Sequence, residues 1–131
     1  MKSILIVCAF AASIVSCAGT KYEKPALIKY QTGISSWYGE WHRGHKTANG
    51  EIFNPDKLSA AHRKLRLGTI VKVTNLKNGK TIVVRINDRG PYVGKRILDL
   101  SREASRRLDF ENDGLTKVKI EIVVTEHKEK I

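Results

Sequence analysis

The sequence predicts a mostly β domain: six short strands closed into a small barrel, with one or two short helices. Three observations carry that expectation. Apolar runs rich in Val and Ile recur at short intervals, at 70–75, 81–87, 96–100 and 117–124; such runs favour strands. The last run alternates Lys117, Lys119 and Glu121 with Val118, Ile120 and Ile122, the period of a strand with one buried face. The two cysteines, Cys8 and Cys17, both lie at the N-terminal end, so the globular part has no internal disulfide. A sheet without such staples removes its exposed edges most economically by closing on itself.

The chain opens on Met1-Lys2, a positive start, and continues with an almost unbroken apolar run at 4–15. That run is too short for a spanning helix, which needs about 20 residues. A charged start with a short apolar core reads as a secretion signal. The run ends in Ile14-Val15-Ser16-Cys17, which resembles the bacterial lipobox, where the cysteine is lipidated and becomes the new N-terminus. An ordinary secretion signal with an incidental cysteine is the alternative. On the lipobox reading, 1–16 is a lipoprotein signal peptide and 17–32 a lipidated N-terminus and tether, with Cys17 the lipidation site. The domain then spans 33–124 and a tail 125–131. The expected location is the cell envelope, anchored in a membrane through Cys17. Ala18 in place of Asp favours the periplasmic face of the outer membrane.

Next, 33–39 reads as a strand bounded by Gly33 and Gly39. Ile34, Ser36 and Tyr38 would face one side, Ser35 and Trp37 the other. Glu40 to Lys46 is polar and reads as a loop. His42 and His45 suggest a metal, but no third ligand of matching spacing accompanies them, and zinc draws on three or four protein ligands. No metal or cofactor is expected. Asn49-Gly50 marks a turn that leads into Glu51. Leu58-Ser59-Ala60-Ala61-His62 is a small-residue run ending in a histidine. Lys77-Asn78-Gly79-Lys80 is the clearest hairpin signal, and Asn-Gly suits a two-residue type I′ loop.

The strand at 81–87 delivers Asp88, followed by Arg89-Gly90-Pro91. Gly and Pro end strand pairing, so Asp88 sits at a strand end. Arg85 and Arg89 flank it in sequence. Opposite charge favours an ionised carboxylate, whereas burial favours the neutral form. A salt-bridged turn is the plain structural alternative. Ser101 to Leu108 is the one good helix candidate: Ser101 suits the N-cap, Glu103 the first turn, Arg106 and Arg107 the last, with Ala104 and Leu108 as a narrow apolar stripe.

With 131 residues the chain holds one domain. Its 24 Lys and Arg against 13 Asp and Glu leave a formal charge of +11, which favours polyanionic partners. No base-stacking motif accompanies that charge, and nucleic acid is not an expected partner. A monomer is expected.

Six markers stand in order across 33–124. They are Ser36-Trp37-Tyr38-Gly39, Lys46-Thr47-Ala48-Asn49-Gly50-Glu51, Ala60-Ala61-His62, Leu67-Gly68-Thr69 with Val73-Thr74-Asn75, Arg85-Ile86-Asn87-Asp88-Arg89-Gly90-Pro91, and Ile97-Leu98-Asp99-Leu100-Ser101. Together they resemble the rare-lipoprotein-A (RlpA-like) family, whose domain is a double-psi β-barrel. The resemblance implies an endolytic lytic transglycosylase that cuts the MurNAc–GlcNAc bond of peptidoglycan strands and leaves 1,6-anhydro ends. It implies a catalytic trio of Asp88, Glu51 and His62. Asp88 is the first choice for the acid/base and Glu51 the second, while His62 orients a carboxyl or binds sugar hydroxyls. The matched motifs also place Trp37, Tyr38, Thr47, Asn49, Arg85, Asn87 and Arg89 on the substrate side. Tyr38, Trp37 and Trp41 are candidates for stacking on sugar rings, and Trp37 fits a core position equally well. Glu51 as a surface charge and His62 as a core histidine are the plain alternatives. On this reading the C-terminal SPOR domain of many relatives is not expected, nor is septal targeting by that route. A non-catalytic, expansin-like wall-loosening or wall-binding lipoprotein is the rival reading.

Overall fold

The structure, a computed structural model, describes residues 30–123. It contains six strands: β1 (Tyr30–Trp37), β2 (Ser59–Ala61), β3 (Ile70–Asn75), β4 (Thr81–Asp88), β5 (Arg96–Leu100) and β6 (Thr116–Ile122). One helix, α1 (Arg102–Arg107), lies between β5 and β6. The strands close into a barrel in the order β1-β5-β2-β4-β3-β6. The β1/β5 and β2/β4 seams are parallel and the other four antiparallel. The mostly β barrel expected from the sequence is therefore the observed architecture. The segment read as a signal peptide, Cys17 and the expected C-terminal tail lie outside the described residues.

The core follows the alternation written in the strands. Val71 and Val73 of β3, Val84 and Ile86 of β4, Leu98 and Leu100 of β5, and Val118 and Ile120 of β6 all point inward and are buried. Each such side chain contributes roughly 1.5–3 kcal/mol of burial. Helix α1 adds Ala104, and the residues after it add Leu108 and Phe110. Ser101 caps the helix as predicted, its Oγ accepting the Ala104 N–H at 3.3 Å. Buried Asn75 ties the helix end to the barrel: its Nδ2 donates to the Leu108 carbonyl at 2.8 Å, while its Oδ1 accepts from the Thr116 hydroxyl at 2.8 Å.

Three local expectations are corrected. Strand β1 starts at Tyr30, inside the segment read as tether, because Tyr30, Gln31 and Thr32 pair with Glu121, Ile120 and Lys119 of β6. The β3–β4 turn is not a two-residue type I′ loop. Such a loop needs positive φ at both central residues, and here Gly79 has φ +79° while Asn78 does not. The Asn75 N–H bonds the Lys80 carbonyl at 2.8 Å, and Asn78 and Gly79 both donate to the Asn75 carbonyl, so residues 76–79 form the loop. The face alternation of β1 also breaks. Ile34 pairs with Arg96 but Ser35 pairs with Leu98, a register slip; Ile34 is exposed while Ser35 and Ser36 are both buried. A second slip matters more for the site. Ala60 pairs with Ile86 and Ala61 with Asp88, leaving Asn87 as the extra residue on β4. Such bulges re-aim side chains at strand ends.

Candidate active site

Asp88 ends β4 and is held by donors from three segments. Its Oδ1 accepts the backbone N–H groups of Ala48 and Arg89, each at 2.9 Å. Its Oδ2 accepts the Tyr38 hydroxyl at 3.0 Å. Burial pushes the Tyr38 phenol well above its usual range, and the neighbouring Asp88 carboxylate adds to this, followed by Asp99. Tyr38 thus stays protonated and donates. The two flanking arginines do not clamp Asp88. Arg85 turns to Glu51, and Arg89 Nη1 donates to the carbonyls of His62 at 3.2 Å and Leu65 at 2.6 Å. The extra residue Asn87 leaves Arg85 and Asp88 on one face of β4, opposite Ser59 and Ala61 of β2, and it is the Glu51 carboxylate that draws Arg85 away. Among the described residues Asp88 has no ion-pair partner, which corrects the salt-bridged turn that the sequence suggested.

Glu51 belongs to a separate polar network. The Lys46–Ile52 bridge and the Thr47 N–H to Glu51 carbonyl bond, 2.8 Å, close a tight loop. Gly50 turns it with φ +89°, a conformation costly for other residues. Asn49 Oδ1 takes the Thr47 hydroxyl at 2.5 Å and the Glu51 N–H at 3.1 Å. Asn49 Nδ2 reaches Glu51 Oε1 at 2.7 Å, and Asn87 Nδ2 reaches Oε2 at 3.3 Å. The Arg85 guanidinium grips both carboxylate oxygens, with Nη2–Oε2 at 2.7 Å. Arg85, then Asn49 and Asn87, hold the Glu51 carboxyl down to about 2 against the opposing effect of burial. Glu51 is therefore ionised at neutral pH. A small cleft of about 90 Å³ adjoins it, lined by Lys57, Ser59, Arg85 and Asn87 among others. Asn87 Oδ1 is buried there without a hydrogen-bond partner.

The His62 ring faces neither carboxyl. Its Nδ1 accepts the backbone N–H groups of Lys64 and Leu65, both at 3.0 Å. An imidazole nitrogen that accepts twice carries no proton, so Nε2–H donates to Gln31 Oε1 at 2.9 Å. Burial lowers the His62 pKa, and Arg89, Arg63 and Lys64 lower it further. No hydrogen bond joins the side chains of Asp88, Glu51 and His62 to one another. Backbone joins the three segments instead: His62 N–H to Asp88 O at 3.1 Å and Asn49 N–H to Asn87 O at 3.2 Å.

The aromatic residues divide. Trp37 packs against the core and donates its indole N–H to the Glu111 carbonyl at 3.2 Å. Trp41 is 73% exposed and lies on His42, ring centroids 3.6 Å apart. His42 in turn packs on Tyr38. The sequence reading missed Gln31, which lay in the presumed tether, and the Ala48 amide, which has no side-chain signal. It also gave no role to Ser36 and Asp99, although a charge between Leu98 and Leu100 marks the outward face of β5.

A closed six-stranded barrel with two parallel seams and a carboxylate at the end of β4 defines the class as a double-psi β-barrel. A family profile described as lytic transglycolase matches residues 30–120. The chain belongs to this RlpA-like family. It is similar to a probable endolytic peptidoglycan transglycosylase RlpA of Synechocystis sp., 47% identical over 118 residues that cover 89% of this chain and 37% of that protein. It is also similar to an endolytic peptidoglycan transglycosylase RlpA of Neisseria meningitidis serogroup A, 49% identical over 109 residues, covering 82% of this chain and 46% of that one. The chain thus spans less than half the length of these relatives. The Streptomyces papain inhibitor shares the fold, with TM-score 0.61 and 22% identity over 75% of this chain and 98% of that one.

Proposed function

We propose that the chain is an endolytic peptidoglycan lytic transglycosylase of the cell envelope, anchored through a lipidated Cys17. The observation that carries the reading is Asp88, set at a strand end by Tyr38, Ala48 and Arg89 with no salt bridge to neutralise it. In its protonated form Asp88 gives its proton to the leaving oxygen as the bond from MurNAc C1 breaks. The 6-hydroxyl of the same sugar bonds to C1 and returns its proton to Asp88, so no water is consumed. Acid-base transfer of this kind is worth roughly 10²–10⁴-fold. Glu51, held ionised by Arg85, is a poor proton donor at neutral pH; we assign it to shaping the groove with Thr47, Asn49 and Asn87. His62, through Gln31 and the 64–65 amides, fixes the loop that Arg89 grips. Tyr38 and Trp41 form the aromatic wall on which a sugar ring can stack.

The test is digestion of purified sacculi, intact and stripped of stem peptides, with mass spectrometry of the products. The wild-type protein is expected to release 1,6-anhydro ends, and Asp88→Asn to lower the rate by about 10²–10⁴-fold with an unchanged melting curve. An active Asp88→Asn variant removes Asp88 from the acid/base role. Binding without cleavage leaves a wall-binding module instead.

A further inference from the structure

A second cavity lies beside His62. Gln31, His62, Arg63, Lys64 and Ile97 line it, and its volume is about 150 Å³. Gln31 comes from β1, Ile97 from β5, and the other three from the residues that follow β2. The cavity adjoins the strand end that presents Asp88. Ala61 pairs with Asp88 across β2 and β4. The next residue, His62, donates its backbone N–H to the Asp88 carbonyl at 3.1 Å. None of the lining residues is acidic.

What the lining side chains still hold is donors. His62 fixes the first of them. Its Nδ1 accepts two backbone N–H groups, so its Nε2–H donates to Gln31 Oε1. With Oε1 occupied, the Gln31 amide presents its NH2 group, which has no partner among the described residues. Arg63 gives Nε and Nη2 to the carbonyls of Pro91, Gly94 and Arg96 and leaves Nη1 unspent. Those acceptors are neutral, so they satisfy N–H groups without cancelling the guanidinium charge. Lys64 is exposed. Its ammonium enters none of the ion pairs among the described residues. Burial, then the charges of Arg89, Arg63 and Lys64, hold the His62 pKa down, as a positive local field does. Unspent donors and surplus positive charge select a group that only accepts. An ionised carboxylate has that character, whereas hydroxyls and amides both donate and accept. Ile97, packed against the core, adds an apolar wall.

Resting on the peptidoglycan substrate of the proposed function, we propose that this cavity is a carboxylate-binding subsite for muramic acid. Gln31, Arg63 and Lys64 hold the carboxylate, and Ile97 covers the carbon chain that bears it. Muramic acid differs from glucosamine by a lactyl group, which carries a methyl and a carboxylate on one carbon. The subsite therefore tells the two alternating sugars apart and sets which glycosidic bond meets Asp88. On a peptide-free strand the carboxylate is the lactyl group's own. On a peptide-bearing strand the lactyl group is an amide, and the carboxylate belongs to the stem peptide. Bonds to an ionised acceptor are stronger than neutral ones, but Lys64 is exposed and its share is screened.

The test is binding, on ice, of peptide-free glycan strands and of the same strands with their lactyl carboxylates reduced to alcohols. Wild type, Lys64→Ala and Gln31→Ala are compared, with a melting curve for each. Wild type is expected to bind the carboxylate strands about 3–10-fold more tightly at low salt. In both variants that ratio is expected to fall towards one. Equal binding of the two strands by wild type overturns the inference, and so does a ratio that Lys64→Ala retains in full. If Gln31→Ala does not fold, Lys64→Ala decides. Intact sacculi locate the carboxylate, and either result keeps the subsite: a loss in Lys64→Ala there too assigns it to the stem peptide, and a loss confined to peptide-free strands assigns it to the lactyl group. If wild type releases no 1,6-anhydro ends, the transglycosylase reading falls, while a carboxylate preference lost in Lys64→Ala still upholds this inference. A wild-type protein that binds neither strand overturns the peptidoglycan reading and this inference together.

Discussion

Glu51 shows how little a residue's identity says about its chemistry until its partners are known. It sits at a family position for a functional carboxylate, yet Arg85 grips both of its oxygens and Asn49 and Asn87 add two more donors. Its carboxyl falls from an ordinary value of 4.5 to about 2. The sign of the linkage follows: a depressed carboxyl pKa stabilises the fold fully above about 4.5, and that stabilisation is lost as pH falls through about 2. Melting temperatures of wild type and Glu51→Gln should therefore differ at neutral pH and converge as the pH is lowered into that window. A gap that stays constant down to acid pH would contradict the role given to Arg85. Asp88, by contrast, binds neutral donors only, and Tyr38 among them stays a phenol because burial and two carboxylates oppose its ionisation. The sequence displayed Asp88 at a strand end, since an apolar run meets Gly90-Pro91 there. It hid the fate of Arg85 and Arg89, because their partners, Glu51 and the His62 and Leu65 carbonyls, lie in segments distant in sequence.

At the scale of elements, two loops form one wall of the site by exchanging arginines. Arg63, after β2, donates to the carbonyls of Pro91 at 2.5 Å, Gly94 at 3.2 Å and Arg96 at 2.7 Å. Arg89, after β4, donates back to the carbonyls of His62 and Leu65. The 90–96 loop has little apolar anchorage, and Tyr92 and Val93 are exposed. Its backbone is fixed mainly by Arg63. Arg63→Ala should cost about 1–2 kcal/mol of stability, since hydrogen bonds to charged groups are the stronger kind but this one is exposed. It should also speed hydrogen exchange at 92–96 while leaving β3 and β6 protected. Uniform exchange across the barrel would show that the loop is held otherwise. Strands β3 to β6 and the helix were legible because Val, Ile and Leu recur in those strands and Ser101 caps, whereas β2, Ser59-Ala60-Ala61, carries no such signal. The loops were not, because their order comes from side chain to carbonyl bonds between segments distant in sequence. The β3–β4 turn is the same lesson in miniature: Asn78-Gly79 announced a turn, but the Asn75 carbonyl and Asn75–Lys80 pairing chose its length.

For the whole molecule, barrel closure is what brings 36, 61, 88 and 99 into one row. Neither parallel seam joins strands adjacent in sequence, so periodicity alone could not reveal that row; the fold class was legible and the pairing was not. The chain's formal charge of +11 suits an anionic wall polymer, but charge alone fits binding as well as cleavage. The central claim is that the protein breaks the glycan without adding water. Digestion of sacculi in ¹⁸O-labelled water, followed by mass spectrometry, tests it most directly. Intramolecular attack by the 6-hydroxyl predicts products whose new ends carry no label and have the anhydro mass. Label at the new reducing end would contradict the account and make the protein a hydrolase.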